Sequence, residues 1–316
     1  MATWLVTGGA GFIGSHIVDE LLEKGEKVIV LDNLSSGGST VNLEQSLGRI
    51  RFVKGDIRDA AVLKRVLRNV DFVSHQAALR SVPRSVDDPL STNDVNITGT
   101  LGLLWACLKA RVKRVMYASS SSTYGDSTLS PQKESQTPAP ISPYAVSKLA
   151  AEHYCRVFSK TFGLETVALR YFNVFGPRQD PRSRYSAVVP LFMKSVVEGK
   201  PILIHGDGRQ SRDFTYVKNV AEANWLSARA KKAAGENFNI AGGESHSVIE
   251  VARLIARLAG RPFHAQHLPS RKGDVRRTCA DPAKARRLLG WKPSVSFHEG
   301  MSRTWDAFCG SFGWPR

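Results

Sequence analysis

The chain has 316 residues, 42% of them hydrophobic, and a formal net charge of +16 from 44 Lys and Arg against 28 Asp and Glu. That length can bury one large core, or one core beside a smaller lobe. No apolar run approaches the roughly 20 residues that a membrane helix needs, and the first apolar segment follows directly on the N-terminus, so we expect neither a membrane partner nor a signal peptide.

The cysteines and the basic residues indicate the compartment of the protein and the kind of ligand it binds. Four cysteines lie far apart and lack ligand spacing, so we expect no metal and a cytoplasmic protein in a reducing compartment. The positive charge alone would suit a protein that binds polyanions. However, the basic residues are dispersed and no aromatic-basic RNA-binding motif occurs. This pattern favours a basic surface around an acidic small substrate, with no nucleic-acid partner.

The first predicted elements are a strand over 4–6 and a helix over 15–23, joined by a glycine turn. The turn contains Gly8, Gly11 and Gly14 at a spacing of three. Gly8 suits a tight turn, Gly11 lets a diphosphate approach the backbone, and Gly14 lets the helix pack on the strand. A helix N-terminus behind such a turn favours an anion. The stretch therefore predicts a dinucleotide site.

The next strand, over 27–31, ends in Asp32. An acidic residue at this strand end, roughly 20 residues past the glycines, accepts hydrogen bonds from a ribose diol. It would also repel a 2′-phosphate, which favours NAD over NADP. A third strand over 51–54 is followed by Asp56 and Ile57, where we expect the adenine. After the fourth strand, over 71–75, the small residues Ala77 and Ala78 would let the backbone pass close to the cofactor.

The remaining elements continue the βα alternation to about residue 171. Helices are predicted over 59–69, 89–110 and 143–162, and strands over 114–118 and 166–170. This order predicts an α/β fold with a doubly wound, Rossmann-type parallel sheet. Beyond Tyr171 the rhythm breaks, and we predict helices over 187–198, 218–230, 248–259, 282–289 and 297–308, and strands over 201–204 and 237–240. This half is predicted to form a smaller mixed α/β substrate lobe.

Two clusters carry the candidate chemistry. Tyr144 and Lys148 are four residues apart on a predicted helix, so they share one face. Ser120 belongs to a run of four serines that leaves the strand over 114–118 at the edge where ligands bind. A cation about 6 Å from a tyrosine hydroxyl lowers its pKa by about two units. Lys148 and an oxidised nicotinamide ring would therefore make Tyr144 a usable base.

These motifs resemble those of the extended short-chain dehydrogenase/reductases, in the NAD-dependent epimerase/dehydratase family. They occur in one order from Thr7 to Asn173: the glycine turn, Asp32-Asn33-Leu34, Asp56-Ile57-Arg58, the serine run before Tyr124-Gly125, Tyr144-x-x-x-Lys148 and Arg170-Tyr171-Phe172-Asn173. The segments over 75–85 and 206–214 are similar to those of UDP-glucose and UDP-N-acetylglucosamine 4-epimerases. The resemblance extends from residue 3 to about 308.

The resemblance implies residue roles and domain limits. Tyr144 is the base, Lys148 tunes it and binds nicotinamide ribose, and Ser120 orients the 4-hydroxyl of the sugar. The further residues implied in NAD binding are Phe12, Ile13, Asn33, Asn96 and Tyr171, and those implied in binding the UDP-sugar are Ser121, Ser122, Asn173, Val189, Arg212, Arg271, Asp274 and Thr278. The NAD-binding domain would comprise residues 1–171 and about 214–240, and the UDP-sugar lobe about 172–213 and 241–316.

The implied reaction is oxidation at C4 of the sugar, rotation of the 4-keto intermediate and reduction from the opposite face. The resemblance also implies that Thr278 occupies a pocket position where a small residue admits an N-acetyl group, so we expect both acetylated and plain UDP-hexoses as substrates, with the acetylated pair preferred. The resemblance also implies a homodimer through helices over 92–110 and 143–162, and Leu103 and Trp105 lie on different faces of the first. The sequence does not assign a role to Arg80.

Two alternatives stay open at this point. A sugar-nucleotide 4,6-dehydratase or a UDP-glucuronate decarboxylase would carry carboxyl groups just after the serine equivalent to Ser120, where this chain has Ser121 and Ser122. A non-catalytic, NAD-dependent binding protein is supported only by the net charge.

Overall fold

The computed structural model describes residues 1–35, 39–181, 187–270 and 276–312. The strands, in chain order, are β1 (Thr3–Thr7), β2 (Lys27–Asp32), β3 (Ile50–Lys54), β4 (Phe72–His75), β5 (Arg114–Ser120), β6 (Glu165–Tyr171), β7 (Val174–Phe175), β8 (Ile202–His205), β9 (Ser211–Asp213), β10 (Thr215–Tyr216), β11 (Glu236–Ile240), β12 (Ser245–Ser247) and β13 (Ala265–Leu268). Seven of them form one sheet in the order β11-β6-β5-β4-β1-β2-β3, and every neighbouring pair in it is parallel. The predicted Rossmann-type sheet is confirmed. The strand order reverses between β1 and β4, the point where such sheets bind their ligands.

Helices cover both faces of the sheet. They are α1 (Phe12–Glu23), α2 (Ala60–Val66), α3 (Val82–Asp87), α4 (Pro89–Asn93), α5 (Gly99–Lys109), α6 (Pro143–Phe162), α7 (Val188–Val197), α8 (Val217–Ser227), α9 (Val248–Leu258), α10 (Ala283–Leu289) and α11 (Phe297–Phe312). One hydrophobic core joins α1, α8 and α10 to the sheet. A second core joins α2, α5 and α6 to the opposite face. Burial of both faces fits the apolar runs within β1, β2 and β6.

A third core belongs to the second half of the chain. It is built from α7, α9 and α11 with the strand pairs β7–β10 and β8–β13, and it includes Phe175, Phe192 and Trp305. Phe12 of α1 belongs to the same core, so this lobe packs on the first turn of the helix behind the glycine turn. The carboxyl edge of the sheet therefore faces the second lobe.

Several local signals act as the sequence indicates. The side chain of Asp59 accepts hydrogen bonds from the amides of Ala61 and Val62 at the start of α2. Ser142 caps α6 ahead of Pro143, and Gly163 ends that helix with φ +74°. No helix in the described ranges is long and apolar enough to cross a membrane.

Other local predictions were wrong. The helix predicted over 89–110 is interrupted by a π-helical turn, Asp94–Thr98, and α3 was not predicted. The helix predicted over 59–69 ends at Val66, because Asn69 is in the left-handed region with φ +59°. The helix predicted over 15–23 begins at Phe12, because Gly11 already provides the extended N-cap.

Candidate active site

A cavity of about 1090 Å³ opens at the carboxyl edge of the sheet. It is lined by most of the residues predicted to bind the cofactor, namely Gly8, Gly11, Phe12, Ile13, Gly14, Asp32, Asn33, Asp56, Ile57, Ala77, Ala78, Tyr144, Lys148 and Tyr171. The glycine turn, the acidic strand end and the tyrosine–lysine pair therefore share one cavity. A volume at the upper end of the usual range for ligand sites suits an extended cofactor.

The glycine turn has no room for side chains. Gly8 has φ +68°, and a Cβ there would lie 2.7 Å from the backbone nitrogen of Ala77. A Cβ on Gly14 would lie 2.2 Å from the carbonyl oxygen of Gly8. The turn therefore leaves backbone N–H groups and the N-terminus of α1 bare toward the cavity, the arrangement that binds a diphosphate.

Asp32 anchors the floor of the cavity. Its carboxylate accepts hydrogen bonds from the amide of Ala10 at 3.0 Å and from the amide of Leu34 at 2.8 Å. A carboxylate offers about four acceptor positions, so two remain for hydroxyl groups of a ligand. The residue thus supports the glycine turn and still fits the predicted contact with a ribose diol.

Asp56 is held by Arg58 at the rim. The Arg58 Nε and Nη2 atoms donate to its two carboxylate oxygens at 2.9 and 2.8 Å, and Asn33 donates at 2.8 Å. Arg58 also reaches Asp94 at 2.5 Å. The Arg58 hydrogen bonds hold the pKa of Asp56 well below its usual range. Ile57, which is buried, follows on the cavity wall.

Asn96 lies behind the cavity wall and does not line it. It is 1% exposed, its Oδ1 accepts from the amide of Leu79 at 2.8 Å, and its Nδ2 donates to the Leu79 carbonyl at 3.0 Å and to Ser147 Oγ at 3.0 Å. Asn96 therefore fixes the backbone that follows Ala77 and Ala78, and ties it to the residue that precedes Lys148.

Tyr144 and Lys148 occupy the first turns of α6, opposite the end of β5. Lys148 Nζ donates to the Ala118 carbonyl at 2.8 Å and lies 5.9 Å from the centre of the Tyr144 ring. The Ser120 hydroxyl lies close enough to Tyr144 to lower the pKa of its phenol. Ser122 donates to Ser120 Oγ from its amide at 3.2 Å and from its hydroxyl at 2.9 Å. With both acceptor positions of Ser120 filled, its own proton is directed outward, toward Tyr144 or a bound hydroxyl.

The electrostatics differ from the sequence-based expectation. In the protein alone, burial raises the pKa of Tyr144, and the Ser120 hydrogen bond and the charge of Arg80 act against that rise. Burial also lowers the pKa of Lys148 to about 8. The depression expected from Lys148 is therefore not found, because burial disfavours the charged form of both groups. The nicotinamide charge that formed part of the expectation acts only in the holoenzyme.

None of the described residues predicted to hold the sugar nucleotide lines this cavity. Asn173 Nδ2 donates to the Asp213 carbonyl at 2.9 Å and to Thr278 Oγ1 at 3.4 Å. Arg212 lies on β9, half-buried, and pairs in register with His246 of β12. Val189, on α7, is 1% exposed. Arg271 and Asp274 lie outside the described residues.

Some cavity residues were not assigned from the sequence. Arg80 and Arg84 line it from the segment after β4, and residues 176–181 line it from the loop after β7. Arg80 had been left without a role, and the structure places it in the cavity with Tyr144. The position of both arginines within six residues of Ala78 was the available signal.

Comparisons with known proteins agree with this geometry. The family model for GDP-mannose 4,6 dehydratase matches residues 5–304. A putative UDP-glucose 4-epimerase of Methanocaldococcus jannaschii is 38% identical over 95% of this chain and 96% of its own. A UDP-N-acetylglucosamine 4-epimerase of Methanobrevibacter ruminantium, solved with UDP-N-acetylmuramic acid, is 41% identical with a TM-score of 0.93, covering 98% and 99% of the two chains. The Thermus thermophilus UDP-glucose 4-epimerase, solved with NAD, is 40% identical with a TM-score of 0.89 over the same shares.

The chain belongs to this NAD-dependent epimerase/dehydratase family. The predictions of the family, the fold and an NAD-using enzyme are therefore confirmed.

Proposed function

We propose that this family member is a UDP-sugar 4-epimerase that keeps NAD bound and interconverts UDP-N-acetylglucosamine with UDP-N-acetylgalactosamine. We expect UDP-glucose and UDP-galactose to be interconverted less efficiently. The observation that carries the proposal is that Tyr144 and Lys148 line the cavity together, with Ser120 beside Tyr144 and serines at 121 and 122.

The chemistry follows from these groups. Tyr144 takes the proton of the sugar's 4-hydroxyl during oxidation. It returns a proton to the same oxygen when the 4-keto sugar is reduced from the opposite face. Ser120 holds that oxygen in line with Tyr144. NAD, when bound, supplies a reversible hydride acceptor. Because the cofactor ends each cycle as it began, the enzyme needs no second substrate. Asp32 and the bare turn at Gly8–Gly14 would hold the adenosine half, and Tyr171 and Lys148 would flank the nicotinamide half.

The serine turn argues against the dehydratase and decarboxylase alternatives. Elimination of water needs a carboxylic acid and a base beside the sugar, and Ser121 and Ser122 supply neither. The Ser122 hydroxyl already donates a hydrogen bond to Ser120 Oγ at 2.9 Å. Product analysis tests the choice: the holoenzyme should convert each UDP-hexose to its 4-epimer. A 4-keto-6-deoxy product, or carbon dioxide from UDP-glucuronate, would instead support one of the alternatives.

The UDP portion would be bound by the second lobe. Arg212 offers a guanidinium fork suited to a diphosphate, and Asn173 lies beside it through the Asp213 carbonyl. Val189, Arg271 and Asp274 complete the predicted set. We therefore propose that residues 172–213 and 241–316 form the UDP-sugar lobe and that the sheet with α8 forms the NAD-binding domain.

Thr278 is expected to control the sugar's 2-substituent. Its hydroxyl accepts from Asn173 Nδ2 at 3.4 Å and from the Asp213 amide at 3.3 Å, so its side chain points to the predicted substrate-binding residues. Replacing it with tyrosine should fill the space for an N-acetyl group. We expect Thr278→Tyr to lower kcat/KM for the acetylated sugars at least about tenfold more than for UDP-glucose.

Thr278→Val is the matched control, since it loses the hydroxyl but adds no bulk. It should affect both sugar pairs to a similar, smaller extent. Steady-state assays on both pairs measure the ratio. Equal losses in Thr278→Tyr, or none, would show that Thr278 does not set the choice of sugar.

We also propose that the chain is a homodimer through α5 and α6. Trp105 on α5 is 48% exposed and Phe162 on α6 is 46% exposed, and their rings meet edge to face at 6.3 Å. Val146 and Val157, also on α6, are 48% and 47% exposed. Exposed apolar side chains in this number on two packed helices fit a partner surface.

Sedimentation tests the assembly. The protein should be a dimer at micromolar concentration, and Trp105→Glu should shift it to monomer. Phe263→Glu, at an exposed aromatic residue outside these helices, should leave the dimer intact. A monomeric wild-type protein would refute the proposed interface.

A further inference from the structure

A buried ion pair lies two helical turns beyond the candidate base. Glu152 on α6 is 6% exposed and Arg170 on β6 is 2% exposed. Arg170 Nη2 donates to Glu152 Oε1 at 2.6 Å, and its Nε donates to Oε2 at 3.0 Å. The pair is therefore bidentate, the geometry that fixes both partners in orientation.

The same carboxylate joins the helix to two further strands. Glu152 Oε2 accepts from Ser119 Oγ on β5 at 2.7 Å, and Oε1 accepts from Asn237 Nδ2 on β11 at 2.9 Å. One side chain of α6 is thus bonded to β5, β6 and β11. Four donors satisfy the carboxylate, so the charge is buried without an orphaned acceptor.

These bonds form part of a ladder between α6 and the end of β5. Tyr144, Lys148 and Glu152 are spaced by four and face the strand together. Their neighbours there are three successive residues: Tyr144 lies beside Ser120, Lys148 Nζ donates to the Ala118 carbonyl at 2.8 Å, and Glu152 accepts from Ser119 Oγ at 2.7 Å. The position of the helix along the strand therefore decides whether Ser120 meets Tyr144.

Arg170 also contacts the turn that contains Ser121 and Ser122, through Tyr124. Its guanidinium lies 4.7 Å from the centre of the Tyr124 ring, and Tyr124 Oη donates to Asn239 Oδ1 at 2.7 Å. Tyr124 ends the short 3₁₀ turn that contains Ser121 and Ser122. The ion pair thus contacts Ser119, which precedes Ser120, and Tyr124, which ends the turn after it.

We propose that Glu152 and Arg170 are positioning residues that set the register of α6 against β5 and so align Tyr144 with Ser120. This role rests on the proposed function for its rate readout. A buried ion pair adds little net stability compared with well-packed apolar residues, whereas its directional bonds permit only one register. An apolar pair of similar volume would preserve the fold but would no longer hold Tyr144 in line with Ser120.

The test compares two paired replacements in the holoenzyme. Glu152→Met with Arg170→Met removes both charges together, so that neither is left buried alone. The control is Arg114→Met with Glu165→Met. That pair joins β5 and β6 at their opposite ends, with Arg114 Nε donating to Glu165 at 2.8 Å, far from Tyr144.

We expect the first replacement to lower kcat about 10- to 100-fold, the loss that a misplacement of about 1 Å produces, with KM for the UDP-sugar almost unchanged. The ultraviolet titration of Tyr144, taken as the difference from the matching Tyr144→Phe protein, should shift to higher pH, because Ser120 moves away from the Tyr144 hydroxyl and no longer lowers its pKa. The charged groups near Tyr144 in the described chain, Lys148 and Arg80, are the same in every variant. The control should match wild type in both measurements.

Unchanged kcat and titration in the folded double variant, or equal changes in the control, would overturn the proposal. If the double variant does not fold, Ser119→Ala and Ser119→Thr test the same positioning role, because Ser119 Oγ donates to Glu152. Alanine should lower kcat and shift the titration, and threonine should restore both, whereas two wild-type-like proteins would overturn it. Should wild type act on no UDP-sugar, the proposed function fails, and the titration alone still tests the positioning role.

Discussion

Replacing Tyr144 with phenylalanine should lower kcat by about 10²–10⁴-fold, the range contributed by a positioned acid or base. Phenylalanine keeps the ring that lines the cavity beside Lys148, so NAD should remain bound in normal amount. The loss therefore reports the missing hydroxyl alone. Initial rates of UDP-N-acetylgalactosamine formation, together with the NAD released on denaturation, measure the two quantities.

Tyr154→Phe provides the control on the same helix. Tyr154 is half-buried and packs against the core between α6 and the sheet, away from the cavity. Its loss of a hydroxyl should leave kcat within about twofold of wild type. A Tyr144→Phe protein that turns over at the wild-type rate would refute the assignment of the base.

Gly14→Ala should weaken the binding of NAD by about 10- to 100-fold. Its Cβ would lie 2.2 Å from the Gly8 carbonyl oxygen, and backbone cannot rotate away as a flexible side chain does. The turn must shift, which displaces the N–H groups that face the diphosphate. Overpacking of this kind costs about 1–3 kcal/mol, or about 10- to 100-fold in affinity if the cost falls on the bound state. Calorimetric titration of the apoprotein with NAD measures it.

Gly102→Ala is the matched control, because a Cβ there meets nothing within 4 Å and the residue lies in α5. It should bind NAD normally and be slightly more stable, since alanine favours helix. Normal NAD affinity in Gly14→Ala would show that the turn is not the diphosphate site.

The fold could be predicted because its signals are local. The glycine turn, the helix start at Asp59 and the start of α6 at Pro143 depend on neighbours in sequence. The π turn at Asp94–Thr98 could not be predicted, because the residues around it are compatible with an ordinary α-helix. At this turn the Asn96 side chain bonds to Leu79 and Ser147, far away in the chain. The strands β7, β9, β10 and β12 have two or three residues each, too few to show a period.

The candidate site divides in the same way. Tyr144 and Lys148 share a helix face and could be paired by spacing alone. The bonds from Asn173 to Thr278 and from Arg170 to Glu152 join separate elements, and a charged residue in a strand gives no sign of its partner. Leu103 and Trp105 were expected on different faces of one helix, and they are 0% and 48% exposed; periodicity alone does not tell which of two apolar faces the core covers.

The most direct test of the central claim uses UDP-N-acetylglucosamine deuterated at C4 of the sugar. The holoenzyme, without added NAD, should form UDP-N-acetylgalactosamine that retains the deuterium at C4, since the hydrogen is removed and returned within one site. Nuclear magnetic resonance of the product locates the label. Deuterium at C6, deuterium lost to water, or no epimer from any UDP-hexose would contradict the account.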